Sequence, residues 1–190
     1  METVGTKFER HLIEQCAPTL AGIKVGNLFH CTLGPGDCID DIIYNWNNCF
    51  LSKGVQICLI KETKTGALVY VFRPTMLSNL LARRDVIKFL KDCGFSCCQN
   101  LEDFIEMLRR HICDSSCFPH EIGIFLGYPL RDVQGFIENK GKDFCLCGFW
   151  KVYTEPQHAQ KLFAQYRKCF CVYKTLFENG RSILQLTVAA

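Results

Sequence analysis

With 190 residues, 48% hydrophobic and 22% charged, the chain is long enough to bury a substantial core as one ordinary domain, and residues 1–190 are read as such. A formal net charge of +3 is too mild to mark a nucleic-acid or anionic-membrane partner by itself, and apolar runs such as 122–126 are far too short to cross a bilayer. The opening stretch METVGTKFERHLIEQC carries charge and has no apolar signal core, so the expected location is the cytoplasm.

Phe8, Leu12, Ile13 and Cys16 have helical spacing, and Pro18 is expected to end that helix. Residues 27–32 read as a short strand. The Gly34-Pro35-Gly36 turn leads to Asp37, a plausible N-cap for a helix to about Leu51 that buries Ile39, Ile42, Ile43, Trp46 and Phe50. Alternation in 55–62 and 67–73, around a Lys64-Thr65-Gly66 turn, predicts a β-hairpin closed by Pro74. Helices follow at about 75–83, 85–93 and 101–112. The next are Pro119 to Leu126, with proline in its first turn, and Leu130 to Glu138 after a break at Gly127-Tyr128-Pro129. Residues 147–153 read as a strand joining the hairpin, and 155–169, 171–178 and 182–186 as closing helices. The fold class is therefore α+β, a small and mainly antiparallel sheet with one or two strands beyond the hairpin, surrounded by helices.

The densest signal is FPHEIGIFLGYPLRDVQGFIENKGKDFCLCGFWKVY, residues Phe118 to Tyr153, accompanied by CAPTLAGIKVGNLF from Cys16, LVYVFRP from Leu68, FAQYRKC ending at Cys169 and SILQLTVA from Ser182. Together these stretches resemble a bacterial family catalogued as a domain of unknown function, the one numbered 3793. The resemblance spans nearly the whole chain and implies no activity.

Fourteen cysteines are the compositional anomaly. Without an export signal they are expected to be free thiols, many of them buried as small apolar groups. No Cys-x-x-Cys pair occurs, which removes the usual zinc-knuckle and thioredoxin-type signatures. What remains is Cys93-x3-Cys97, adjacent Cys97-Cys98, Cys113-x3-Cys117, Cys145-x-Cys147 and Cys169-x-Cys171. The last two pairs, with His120 or Cys16, are candidate ligands for zinc or iron. Cys16 is also a candidate reactive thiol, near Lys24 and with His120 or His11 as base, although a helix C-terminus opposes its ionisation. His120-Glu121 is a candidate acid/base pair, set against the simpler reading of a favourable helix start.

The 119–138 hairpin has a helix-turn-helix look, with Arg131 and Gln134 on its second helix as candidate base-reading groups diluted by Asp132 and Glu138. Lys24, Arg73, Lys140 and Lys151 are candidates for lining an anion pocket. The leading functional reading is a redox- or metal-linked accessory protein using cysteine thiols with a redox or regulatory protein partner. A nucleic-acid or regulatory module and a small-molecule enzyme with an anion pocket stand as alternatives.

Overall fold

The computed structural model describes residues 4–34, 36–114 and 118–189, with side chains from residue 7 onward; Pro35 of the expected turn and Cys117 of the Cys113 pair lie outside the described residues. The architecture is α+β. Its centre is a three-stranded antiparallel sheet in the order β1-β3-β2, formed by β1 (Gly26–Thr32), β2 (Gln56–Thr63) and β3 (Gly66–Phe72). Register runs Gly26↔Phe72 to Thr32↔Gly66 on one side of β3, and Gln56↔Phe72 to Thr63↔Gly66 on the other. A bulge between Leu59 and Lys61 accommodates Ile60 as an extra residue in β2.

The central strand GALVYVF is apolar on both faces because both faces are covered. Ala67, Val69 and Val71 enter one core, while Tyr70 and Phe72 enter another. The first core is shared with α1 (Val4–Leu20), α2 (Ile39–Phe50) and, near the chain's end, α8 (Pro156–Glu178) and α9 (Ile183–Leu186). The second is closed by α3 (Pro74–Leu81), α4 (Arg84–Asp92), α5 (Leu101–Asp114), α6 (Ile122–Phe125) and α7 (Leu130–Glu138). The Tyr70 hydroxyl crosses this second core to donate to the Phe125 carbonyl. A third, smaller core gathers Trp150, Val152, Ala159, Phe163 and Tyr166.

Five expectations are corrected. Helix α1 continues through Pro18 to Leu20, because proline near a helix end forfeits one backbone bond and Glu14, whose carbonyl loses it, lies on the exposed side. The N-cap of α2 is Cys38; the Asp37 carboxylate instead accepts from the Gly34 amide, closing the preceding turn. Helix α6 is a single turn. Residues 147–153 do not join the central sheet but fold with β4 (Leu146–Cys147) and β5 (Lys151–Val152) into a separate two-stranded hairpin. The closing region 156–178 is one 23-residue helix, continuous at Phe170, whose ring stacks on Phe149 of the hairpin at 5.9 Å.

Candidate functional site

Two of the four candidate anion-binding cations are used inside the fold. Arg73, 3% exposed, sits at the end of β3 and reaches the C-terminus of α1. Its Nε donates to the Thr19 carbonyl at 2.6 Å, and its Nη2 to the carbonyls of Leu20 and Val188 at 2.7 Å each. The guanidinium thus caps helix carbonyls that have no intrahelical donor, and its charge suits the negative end of the helix dipole. Burial lowers its pKa from the ordinary arginine value, with nearby Tyr173 opposing.

Lys24, 5% exposed, donates through Nζ to the Gly26 carbonyl at 2.7 Å and Asn27 Oδ1 at 3.0 Å, and lies 5.6 Å from the centre of the Tyr128 ring. Burial pulls its pKa down to about 8, partly opposed by Cys16. Cys16 itself is fully buried, and desolvation pushes its thiol well above the ordinary range despite Lys24. A sealed thiol with the proton held on is the opposite of an accessible nucleophile, so the reactive-thiol expectation for Cys16 is corrected to a core packing role.

The signature segment builds a different environment. Asp132 of α7 is 2% exposed and carries no cation, yet its carboxylate is saturated. Oδ2 accepts from Trp150 Nε1 at 2.8 Å; Oδ1 accepts from the backbone amides of Tyr153 and Thr154, both at 2.9 Å, and from the Thr154 hydroxyl at 3.1 Å. One side chain therefore fixes the indole and the turn leading into α8. Two glycines make the close packing possible. A Cβ on Gly135 would stand 2.5 Å from the Tyr153 ring, and one on Gly148 would stand 2.2 Å from the Phe163 ring.

Around Asp132 and Trp150 lie two clefts. The smaller, of about 280 Å³, is lined by His120, Tyr128, Phe136, Cys147, Trp150 and Lys151 among others. Trp150 stacks on Tyr128 at 5.0 Å, and the His120 ring meets the Phe136 ring edge-on at 4.9 Å. Cys147 and Lys151 are cross-strand partners in the β4–β5 hairpin, which brings thiol and amine to the same wall. Lys151 Nζ donates to the Gly141 carbonyl at 2.7 Å and lies 5.0 and 5.6 Å from the ring centres of Phe144 and Phe136. Lys140, exposed and left-handed at φ 51°, lies in the preceding turn. Lys24 and Arg73, at the end of α1, do not line this cleft with Lys151, so the four-cation anion pocket is corrected to one cleft-facing lysine.

The larger cleft, of about 740 Å³, runs between α4, the start of α7 and the start of α8. Arg131 and Gln134 line it, but so do Asp85, Asp92 and Glu155, and Arg83 is already paired with Asp85 at 2.7 Å. Arg131 and Gln134 thus lie on a surface of mixed sign after a one-turn α6, an arrangement unlike the basic face and paired helices of helix-turn-helix base readers. His120 and Glu121 also diverge. Glu121 Oε1 lies 2.7 Å from Nδ1 of His111 on α5, tying that helix to the signature segment, while His120 faces the small cleft.

Among the described residues no group of three or more His, Cys, Asp or Glu side chains is placed to hold a metal. The expected zinc or iron set of Cys145, Cys147, Cys169, Cys171 and His120 is corrected for a geometric reason. Cys169 and Cys171 are two apart on one helix and so project about 200° apart. Cys169 is half-buried against the first core with its thiol pushed up to about 11 by desolvation, whereas Cys171 is exposed. Cys145 donates its thiol to the Tyr153 carbonyl at 3.6 Å, leaving Cys147 and His120 in the cleft without the others. Sequence reasoning missed Asp132, which it read only as a diluting charge, and His111. Their partners lie 18 and 10 residues away in an irregular segment, beyond any periodic signal.

No helix among the described residues is long and apolar enough to cross a membrane. No curated protein and no solved structure matches the chain. A family described as protein of unknown function (DUF3793) matches residues 12–187, taking in both cores of the sheet and the whole signature segment, and the chain belongs to that family.

Proposed function

We propose that this protein binds a small, flat organic ligand in the 280 Å³ cleft between α6, α7 and the β4–β5 hairpin, and that Cys147 is the thiol that acts on it. The observation that carries this reading is the cross-strand pairing of Cys147 with Lys151 inside a cleft that also holds His120 and the rings of Tyr128, Phe136 and Trp150. A cleft of this size suits one or two fused rings, and an aromatic lining with a few polar groups is the usual composition of small-molecule sites. A thiol beside an ammonium and an imidazole is the arrangement used for nucleophilic or exchange chemistry at sulfur. The thiol-linked role is thereby narrowed from five sulfur and imidazole groups to Cys147 and His120, without a metal. The reading takes the chain as one domain, supported by a sheet that carries a core on each face. It also places the protein in the cytoplasm, supported by every described cysteine being a free thiol.

The test is competitive alkylation. Iodoacetamide labelling is mapped by peptide mass, comparing Cys147 with Cys171, which is also exposed. Cys147 is expected to react several-fold faster than Cys171, to slow in His120→Ala and Lys151→Met, and to be protected by a cyclic compound identified by thermal-shift screening. Equal rates at the two thiols, unchanged by either substitution and by every stabilising compound, would remove the reading.

A further inference from the structure

The loop between α4 and α5 carries the adjacent cysteines Cys97 and Cys98 and is anchored at both ends. Phe95, 1% exposed, anchors it against Phe125 and Phe104 with ring centres 5.7 and 6.1 Å away. At the far end Asp103 accepts from the amides of Gln99 and Asn100 at 2.8 and 3.3 Å, while Asn100 accepts from the Asp103 amide at 2.9 Å. Between these anchors Cys97 is exposed and its neighbour in the chain, Cys98, is half-buried. Cys98 also lines a cleft of about 430 Å³ with Leu81, Ile87, Phe95, Leu101 and Phe104.

Consecutive Cα atoms are about 3.8 Å apart, shorter than the roughly 4.4–6.8 Å that a disulfide ordinarily spans. Closing these two sulfurs onto each other therefore distorts the backbone, whereas a larger atom bridging both closes a wider ring. No set of three metal-type donors occurs among the described residues, so the protein supplies two sulfurs and the bridging centre must bring its own third substituent. The cleft beside Cys98, walled by two phenylalanines and two leucines, is placed to receive that substituent.

We propose that Cys97 and Cys98 form a bidentate site for a trivalent thiophilic metalloid bearing one organic group, an aryl or alkyl arsenical, with the organic group seated in the cleft beside Cys98. Binding is a condensation. Two arsenic–oxygen bonds of the dihydroxy species break and two arsenic–sulfur bonds form. The two thiol protons leave with the hydroxyl groups as water, and arsenic keeps its oxidation state, so no oxidant is needed. This site is independent of the Cys147 cleft.

The experiment titrates the reduced, folded protein with phenylarsine oxide under argon, counting free thiols and mapping the adduct by intact and peptide mass. The first equivalent is expected to consume two thiols, located at Cys97 and Cys98. Cys97→Ser and Cys98→Ser should each bind about a hundredfold more weakly, because the intramolecular second bond is lost. Cys93→Ser, with an equally folded far-ultraviolet spectrum, should bind as the parent does. Phe104→Ala should weaken phenylarsine oxide while leaving inorganic arsenite unchanged. A first equivalent that maps to Cys145 and Cys147, or affinity unchanged in either serine variant, overturns the proposal. So does ready closure of the pair to a disulfide by oxidised glutathione.

Discussion

The central sheet and the signature segment use ionisable residues in opposite ways. In the sheet, backbone groups are paired along β1, β3 and β2, and the buried Arg73 at its end gives its donors to main-chain carbonyls. Between residues 118 and 155 regular structure is short, and three non-glycine residues, Lys140, Asp143 and Glu155, take left-handed φ angles of 51°, 57° and 49°. Each such residue costs on the order of 1 kcal/mol, a strain that persists only where surrounding contacts enforce it. Asp132 supplies such contacts beside Glu155 through the amides of Tyr153 and Thr154, and it lines both clefts while His120, Cys147 and Lys151 remain at the surface of one. Charge in the first region is spent on completing the fold. In the second it holds an irregular surface open, which is where binding and chemistry ordinarily reside.

The sharpest way to break this contrast is Asp132→Ala. It leaves the Trp150 indole and the amides of Tyr153 and Thr154 without acceptors, and is expected to cost about 4 kcal/mol in urea denaturation followed by tryptophan fluorescence. A loss under about 1 kcal/mol would mean that the segment is held by packing instead. Arg73→Met comes next, at about 3 kcal/mol, since the Thr19, Leu20 and Val188 carbonyls each lose a charged donor. Cys147 alkylation in native buffer should nevertheless stay at the parent rate, and a change there would show that the two regions are not separable.

The third effect is a pH slope. Lys24 titrates at about 8 in the fold against 10.5 ordinarily, so the unfolded chain binds more protons between those values and the fold gains stability as pH rises. Relative to Lys24→Met, the parent should gain up to about 3 kcal/mol from pH 8 to 10.5, and lose it again as pH falls through 8. A flat difference would place the ammonium in a better solvated setting.

The sheet was legible because its cause is local. The apolar, β-branched and aromatic content of 55–62 and 67–73 and the Lys-Thr-Gly turn between them specify the hairpin, and the apolar spacing of Leu130, Val133 and Ile137 specifies α7. The β4–β5 hairpin was not, since two residues per strand carry no period and its packing depends on Gly148 meeting Phe163 of a later helix. The cleft was half legible. Cys147, His120 and Lys151 stood out by residue type, but their meeting is enforced by the Asp132–Trp150 bond, which follows from tertiary placement. Cysteine number suggests a metal set that the described residues do not gather, because composition says nothing of the helical phase that separates Cys169 from Cys171.

The Arg73 clasp bears on the order in which the chain can acquire its shape. The carbonyl of Leu20 receives both Arg73 Nη2 and the amide of Val188 at 3.0 Å, and the same guanidinium holds the Val188 carbonyl. The first helix is thus completed by residues synthesised long after it, and it packs on α8 and α9, which are also late. During translation β2 and β3 can pair as soon as they emerge and Phe8 of α1 can already meet Phe29 of β1, but the C-terminal end of α1 stays unclasped by Val188 until the ribosome has passed that residue. The C-terminal turn of an early-made helix is therefore sealed only after the late segment arrives, and the interval before sealing is when that joint is most open to chaperones or to aggregation.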